Sequence, residues 1–205
     1  MTLILSKKYN PLFDSKARYF IITGGRGSGK SFAVTVFLTL LTMSRGIRVL
    51  FTRFTMTSAH LSIIPEFLEK IGLLGFDETF NINKAEVVNA ENKSDILFRG
   101  IRTSAGNQTA SLKSLQGIST WCLDEAEELV DENIFDTIDL SIREKDIQNR
   151  IILILNPVTK EHWIYKRFFE DKGVEGGFNG IKDNICYIHS TYLDNKDNLS
   201  TSFLE

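Results

Sequence analysis

The sequence describes an α/β protein in which a mostly parallel sheet is covered by helices on both faces. Three observations lead there. An apolar segment, RYFIIT (18–23), runs through a glycine loop into a long apolar segment, SFAVTVFLTLLTM (31–43), which is the order strand, loop, helix. Strand-like and helix-like patterns then keep alternating, as successive βα units do. The segments leading into CLDEAEEL and ILNP are apolar enough to be central strands, buried on both sides.

After the first unit, GIRVLFTR (46–53) reads as a strand. TSAHLSIIPEFLEKIGLLG (57–75) reads as a helix, with Thr57 or Ser58 as its cap and a stop near Gly75. Between 76 and 101 the pattern shortens to FDETFNIN, AEVVNA and SDILFRGI, hairpin-like strands that predict an antiparallel extension at the sheet edge. A polar loop (102–114) leads to ISTWCLDEAEEL (118–129). A helix over 131–145, the strand RIILILNP (150–157), a helix over 162–170, a Gly/Asn-rich loop (173–180) and a last strand over 185–192 complete the order. No repeat, linker or low-complexity block interrupts it, so residues 1–205 are expected to form one domain around one core.

Composition sets limits on function. Hydrophobic residues make up 42% of the chain, and 24 basic against 26 acidic side chains leave a formal charge of −2. That balance does not announce nucleic acid; a DNA-facing surface would have to be a local patch. Cys122 and Cys186 lie far apart without metal-ligand spacing and read as core thiols. His60, His162 and His189 are scattered and read as structural or surface residues. FAVTVFLTLLTM is too short and threonine-rich to span a bilayer, and MTLILSKK lacks a signal-peptide core. The expectation is a cytoplasmic protein with no membrane partner.

Three motifs carry chemistry. The first is GGRGSGKS, Gly24, Gly25, Arg26, Gly27, Ser28, Gly29, Lys30 and Ser31. Bare backbone lets successive N–H groups converge on one concavity, and the following helix aims its positive end at the same point. Such a cradle fits the β- and γ-phosphates of ATP, with Lys30 along them and the Ser31 hydroxyl in the shell of an octahedral Mg²⁺. The second is WCLDEAEEL, where Asp124 at a strand end could hold the Mg²⁺ shell and Glu125 orient a water facing the γ-phosphate. Glu127 and Glu128 read as a solvated helix start. The third is ILNP, in which Asn156 at a strand tip either senses the γ-phosphate or polarises the attacking water, or merely begins an Asn-Pro turn. Arg26 is open between a phosphate, a neighbouring subunit, DNA and a surface acid. With the strand-loop-helix context these motifs specify the RecA-like P-loop ATPase architecture.

Taken in order, GGRGSGKS, CLDEAEEL and ILNP make the chain resemble the large subunit of tailed-phage terminases, the motors that pump DNA into a procapsid. KSLQGIST, NPVTKEHWIYKRFFE and HSTYLDNKDNL look similar too, and the last two discriminate against a general P-loop ATPase. The resemblance implies Lys30 and Ser31 as the phosphate-loop pair, Asp124 as the magnesium residue, Glu125 as the catalytic carboxylate, Asn156 in the coupling motif and Arg26 as a loop arginine. It implies a base-contacting segment near Tyr9–Leu12 and a basic finger from a neighbouring subunit, with Arg99, Arg102, Lys113 and Arg143 as candidates. It also implies double-stranded DNA, a portal protein and a terminase small subunit as partners, a homo-oligomeric ring, and action in the host cytoplasm. The family continues into a nuclease domain for which residues 1–205 leave no room, so an isolated ATPase domain without nuclease activity is expected. A helicase-like or recombination ATPase and a non-hydrolysing assembly module are the competing readings.

Overall fold

A computed structural model describes residues 4–55, 59–83, 85–103, 106–107, 112 and 115–204. Its ten strands are β1 (Tyr19–Gly24), β2 (Arg48–Thr55), β3 (Phe80–Ile82), β4 (Glu86–Asn89), β5 (Asp95–Thr103), β6 (Gly106–Asn107), β7 (Thr120–Asp124), β8 (Arg150–Leu155), β9 (Gly180–Lys182) and β10 (Ile185–Ser190). They form one sheet in the order β3-β4-β5-β2-β7-β8-β1-β10-β9, with β6 paired to β5. From β5 to β10 every neighbouring pair is parallel. The antiparallel pieces sit at the edges: β3 and β4 on one side, β9 on the other, and β6 on β5. The expected extension is therefore present, except that its third piece, β5, runs parallel to β2 and belongs to the main sheet.

Both faces are covered. Helices α1 (Asn10–Asp14), α2 (Lys30–Leu41) and α3 (Ala59–Leu73) pack on one side, where Val34, Phe37, Ile63 and Phe67 meet Phe20, Ile22, Cys122, Ile152 and Ile154. On the other side α4 (Glu132–Asp139) and the segment from Trp163 to Glu170 bring Phe135, Ile138, Ile164 and Phe168 against Ile21, Trp121, Leu123, Ile151 and Leu153. The period of two within each strand divides its side chains between these two cores. Each fully buried Ile, Leu or Phe contributes about 1.5–3 kcal/mol. Cys122 and Cys186 are buried and free, as expected of core thiols, and burial pushes the Cys186 thiol up to about 11.

Two elements differ from the sequence reading. The helix expected over 131–145 ends at Asp139, where Arg18 at the entry to β1 donates to the Asp139 carbonyl and carboxylate and to the Ile142 carbonyl beyond the helix. A cation there satisfies a carbonyl that has no partner within the helix and favours the negative end of its dipole. The helix expected over 162–170 is one α-turn, Trp163–Tyr165, widening into a π-turn, Lys166–Glu170. Its position is fixed by the His162 side chain, which accepts from the Ile164 N–H, and by Arg167, which bridges Glu132 and Asp136 on α4. Thr57 and Ser58, proposed as caps of α3, lie outside the described residues.

Candidate active site

Parallel strands put their C-terminal ends on one side of the sheet, and three adjacent ends build the site. β1 runs into the glycine loop, β8 beside it ends before Asn156, and β7 beyond that ends in Asp124. Together they border a cleft of about 620 Å³ lined by residues 25–32, Arg53, Asp124, Glu125, Glu127 and residues 154–156.

The loop is shaped by where its carbonyls go. A Cβ at Gly24 would lie 2.2 Å from the Ser190 carbonyl oxygen, so only glycine lets β1 leave the sheet this close to β10. Gly27 and Gly29 take left-handed backbone angles, φ 78° and 82°. The Gly25 carbonyl accepts from Ser28 Oγ at 2.8 Å, the Ser28 carbonyl from Tyr9 Oη at 2.9 Å, and the Gly27 carbonyl from Asn195 Nδ2 at 2.9 Å. The main-chain N–H groups of Gly27 and Gly29 meet no protein acceptor among the described residues. With the first turn of α2, they are donors left without a protein partner, which is what an anion-binding concavity requires.

Asp124 is 4% exposed. Arg53, at the far end of β2, donates to a single oxygen of it, Oδ2, from Nε at 2.8 Å and Nη2 at 2.6 Å. Among the described residues nothing donates to Oδ1. Burial opposes the Arg53 charge, Asp124, Glu125 and Glu66 together more than offset that, and the guanidinium is shifted upward. Glu125 follows with φ 55° and ψ 46°, a left-handed conformation costing a non-glycine residue about 1–3 kcal/mol. That turn directs its half-exposed carboxylate along the cleft, with Oε2 3.7 Å from Arg53 Nε. Burial raises its pKa above the ordinary 4.5, with Arg53 opposing and Asp124 assisting.

Lys30 Nζ lies 3.1 Å from Asn156 Oδ1 and 3.4 Å from the Gly25 carbonyl. Burial lowers its pKa, while Glu127 and Asp124 favour its charge. Asn156 in turn donates through Nδ2 to Glu127 Oε1 at 2.6 Å. Glu127 is thus corrected from a solvated helix residue to a half-buried wall of the cleft; Glu128 is exposed as expected. The turn after β7 is a 3₁₀ helix, Ala126–Glu128, whose three-residue period returns position 127 to the side of Asp124.

Sequence reasoning missed Arg53 as well as Glu127. The signal for Arg53 was its place at the end of a parallel strand, since β2 pairs Thr52 with Leu123 and so sets Arg53 beside Asp124. Arg26 and Ser31 line the cleft, and Arg26 makes no ion pair among the described residues. Arg99 is turned onto the Phe98 and Ala85 carbonyls, and neither Arg102 nor Arg143 lines the cleft. Lys113 lies outside the described residues. Of the Tyr9–Leu12 segment, Leu12 is core, whereas Tyr9 borders a second cavity of about 210 Å³ with Leu5, Phe32, Asn195 and Asn198, directly beside Gly29.

Comparison with known proteins decides the family. The profile described as phage terminase large subunit matches residues 16–204, nearly the whole chain. The chain belongs to the phage terminase large subunit family. The large terminase subunit of Bacillus phage SPP1 is 24% identical to it over 220 residues, covering 98% of this chain and 49% of that protein. The chain therefore spans about half the length of that curated relative. Among solved structures, the large terminase of a thermophilic bacteriophage superposes with a TM-score of 0.73 at 15% identity, covering 98% of this chain and 48% of that one. The large terminase ATPase domain of Thermus phage P74-26 superposes with 0.65 at 18% identity, covering 96% and 84%. These terminase structures share the fold described above.

Proposed function

We propose that this terminase chain, residues 1–205, is an ATPase domain that hydrolyses ATP to move double-stranded DNA into a procapsid. The observation that carries the reading is the convergence of the GGRGSGKS loop, the Asp124–Glu125 pair and Asn156 on one cleft. Solved structures of the thermophilic phage terminase contain ADP and ATP-γ-S, which supports a nucleotide in the corresponding place here.

In this reading the loop N–H groups and Lys30 bind the phosphate oxygens, and Glu125 orients the attacking water and takes its proton. The half-exposed carboxylate of Glu125 faces solvent in the cleft, so water reaches it. Asn156 ties Lys30 to Glu127 and transmits a change at the phosphates to the turn after β7. Ser31 and the free oxygen of Asp124 would hold Mg²⁺. That donor set is small, and among the described residues no cluster of three or more acidic, His or Cys side chains could form an all-protein cage. This suits an ion completed by waters and substrate oxygens. When bound, Mg²⁺ supplies charge neutralisation at the phosphates. Arg26 completes the charge at the cleft rim, a neighbouring subunit of a homo-oligomeric ring contributes a further cation, and the ring works with a portal protein and a terminase small subunit in the host cytoplasm.

The test is Mg²⁺-ATP turnover by the purified chain over a wide range of protein concentrations, beside Glu125→Gln with ATP binding checked in both. Turnover per molecule that rises with concentration, with a silent variant that still binds, is the expected result. A Glu125→Gln variant as active as the wild type would remove Glu125 from the mechanism. Wild-type protein that binds ATP and never hydrolyses it would make this chain a nucleotide clamp.

A further inference from the structure

A glycine-rich loop binds phosphate only if its peptide planes keep their carbonyls out of the cradle. Glycine offers little resistance to a peptide flip, because no side chain restricts its backbone. A flipped Gly27–Ser28 peptide would turn the Gly27 oxygen, with its partial negative charge, toward the phosphates. Something outside the loop must hold that oxygen.

Asn195 is placed to do so. Its Nδ2 donates to the Gly27 carbonyl at 2.9 Å, across 168 residues of sequence. A second contact orients the amide, whose Oδ1 accepts from Asn198 Nδ2 at 2.9 Å. The backbone carrying it is a 3₁₀ turn, Tyr192–Asn198, closed by the Thr191–Asp194 capping box. Asp194 also pairs with Lys8 at 3.0 Å, which ties the turn to the N-terminal segment. Asn195 packs over Gly29 as well, its Cγ 3.2 Å from where a Cβ would stand, and the Phe203 ring covers Gly27 at 2.8 Å from the equivalent point. The side of the loop away from the cleft is therefore faced by the segment that follows β10.

We propose that Asn195 is a positioning residue that locks the Gly27–Ser28 peptide carbonyl-outward and so keeps the phosphate cradle competent before nucleotide arrives. The inference rests on the phosphate-loop reading given above. Asn195 touches no reacting atom in this role; it acts through the loop.

The experiment measures ADP and ATP affinity calorimetrically, and displacement of a fluorescent ADP by pyrophosphate and by adenosine, for wild type, Asn195→Ala and Asn195→Asp. The Asp variant keeps the shape and removes the donor; the Ala variant controls for the added charge. Loss of one hydrogen bond predicts that Asn195→Ala weakens ADP, ATP and pyrophosphate by one common factor, roughly 2- to 12-fold, and Asn195→Asp by more. Adenosine displacement stays at the wild-type value, and the nucleotide-free melting temperature of the Ala variant falls by no more than that one bond is worth, about 6 °C at most. Variants that bind phosphates like the wild type overturn the proposal alone. Adenosine weakened while pyrophosphate binds as it does to the wild type would make Asn195 a base contact, and a fall in nucleotide-free melting temperature with phosphate affinity unchanged would make it a general stabiliser; either overturns it. Wild-type protein that binds neither ADP nor ATP overturns the phosphate-loop reading itself.

Discussion

Replacing Arg53 by Ala tests how the acidic end of the cleft is held together. The substitution removes two charge-assisted hydrogen bonds from a single Asp124 oxygen and leaves that carboxylate buried, with 5% of its side chain exposed. Removing one partner of a fully buried pair costs about 3–5 kcal/mol. Here the Arg53 side chain is itself 23% exposed, so water enters the space it leaves and partly rehydrates Asp124. The expected loss is therefore about 2–3 kcal/mol, read from urea unfolding without nucleotide or metal. For a chain of this size that is a fall of roughly 4–12 °C in Tm. The double-mutant cycle with Asp124→Asn isolates the pair, and a coupling of about 1.5 kcal/mol or more is expected. A single variant within about 0.5 kcal/mol of the wild type, or additive losses in the cycle, would refute the claim that Arg53 holds Asp124.

Two further outcomes follow from the same region. Glu125→Gly relieves the left-handed strain at φ 55° and should match or exceed wild-type stability by up to about 1 kcal/mol while abolishing ATP turnover, measured by urea titration and phosphate release. Glu66 on α3 has a pKa raised above the ordinary 4.5, by burial first, with Lys70 opposing and Asp124 adding to the rise. A raised acid favours the fold when protonated, so its contribution is present below its unfolded pKa and lost as pH climbs through the folded one. Glu66→Gln should accordingly be more stable than wild type at neutral pH and equal to it below about pH 4. A gain that persists unchanged into acid would point to packing instead.

The parts of the site legible in the sequence are those whose chemistry is contiguous. GGRGSGKS needs only its own glycines and the helix after it, and Asp124–Glu125 and Asn156 sit at strand ends marked by the apolar runs before them. Arg53 is chosen by strand register, Glu127 by the period of a three-residue turn, and Asn195 by a contact across 168 residues; none of these leaves a local trace. The fold shows the same division. The parallel core was readable from apolar runs, whereas the antiparallel β9 occupies a stretch of GVEGGFNGIK whose glycines hide it. At the end of α4, Arg18, more than a hundred residues upstream, engages the Asp139 carbonyl and the Ile142 carbonyl beyond it.

Tyr9 gives the loop a timetable. Its hydroxyl joins the Ser28 carbonyl to Ser190 Oγ, a partner 181 residues away. A ribosome adding roughly 5–20 residues per second emits GGRGSGKS about 8–30 s before it reaches Ser190. Throughout that interval the nascent chain carries the motif without the strand, β10, that braces it. The glycine loop is thus among the last parts of this fold to be braced, since Tyr9 can complete its bridge only once β10 has been made.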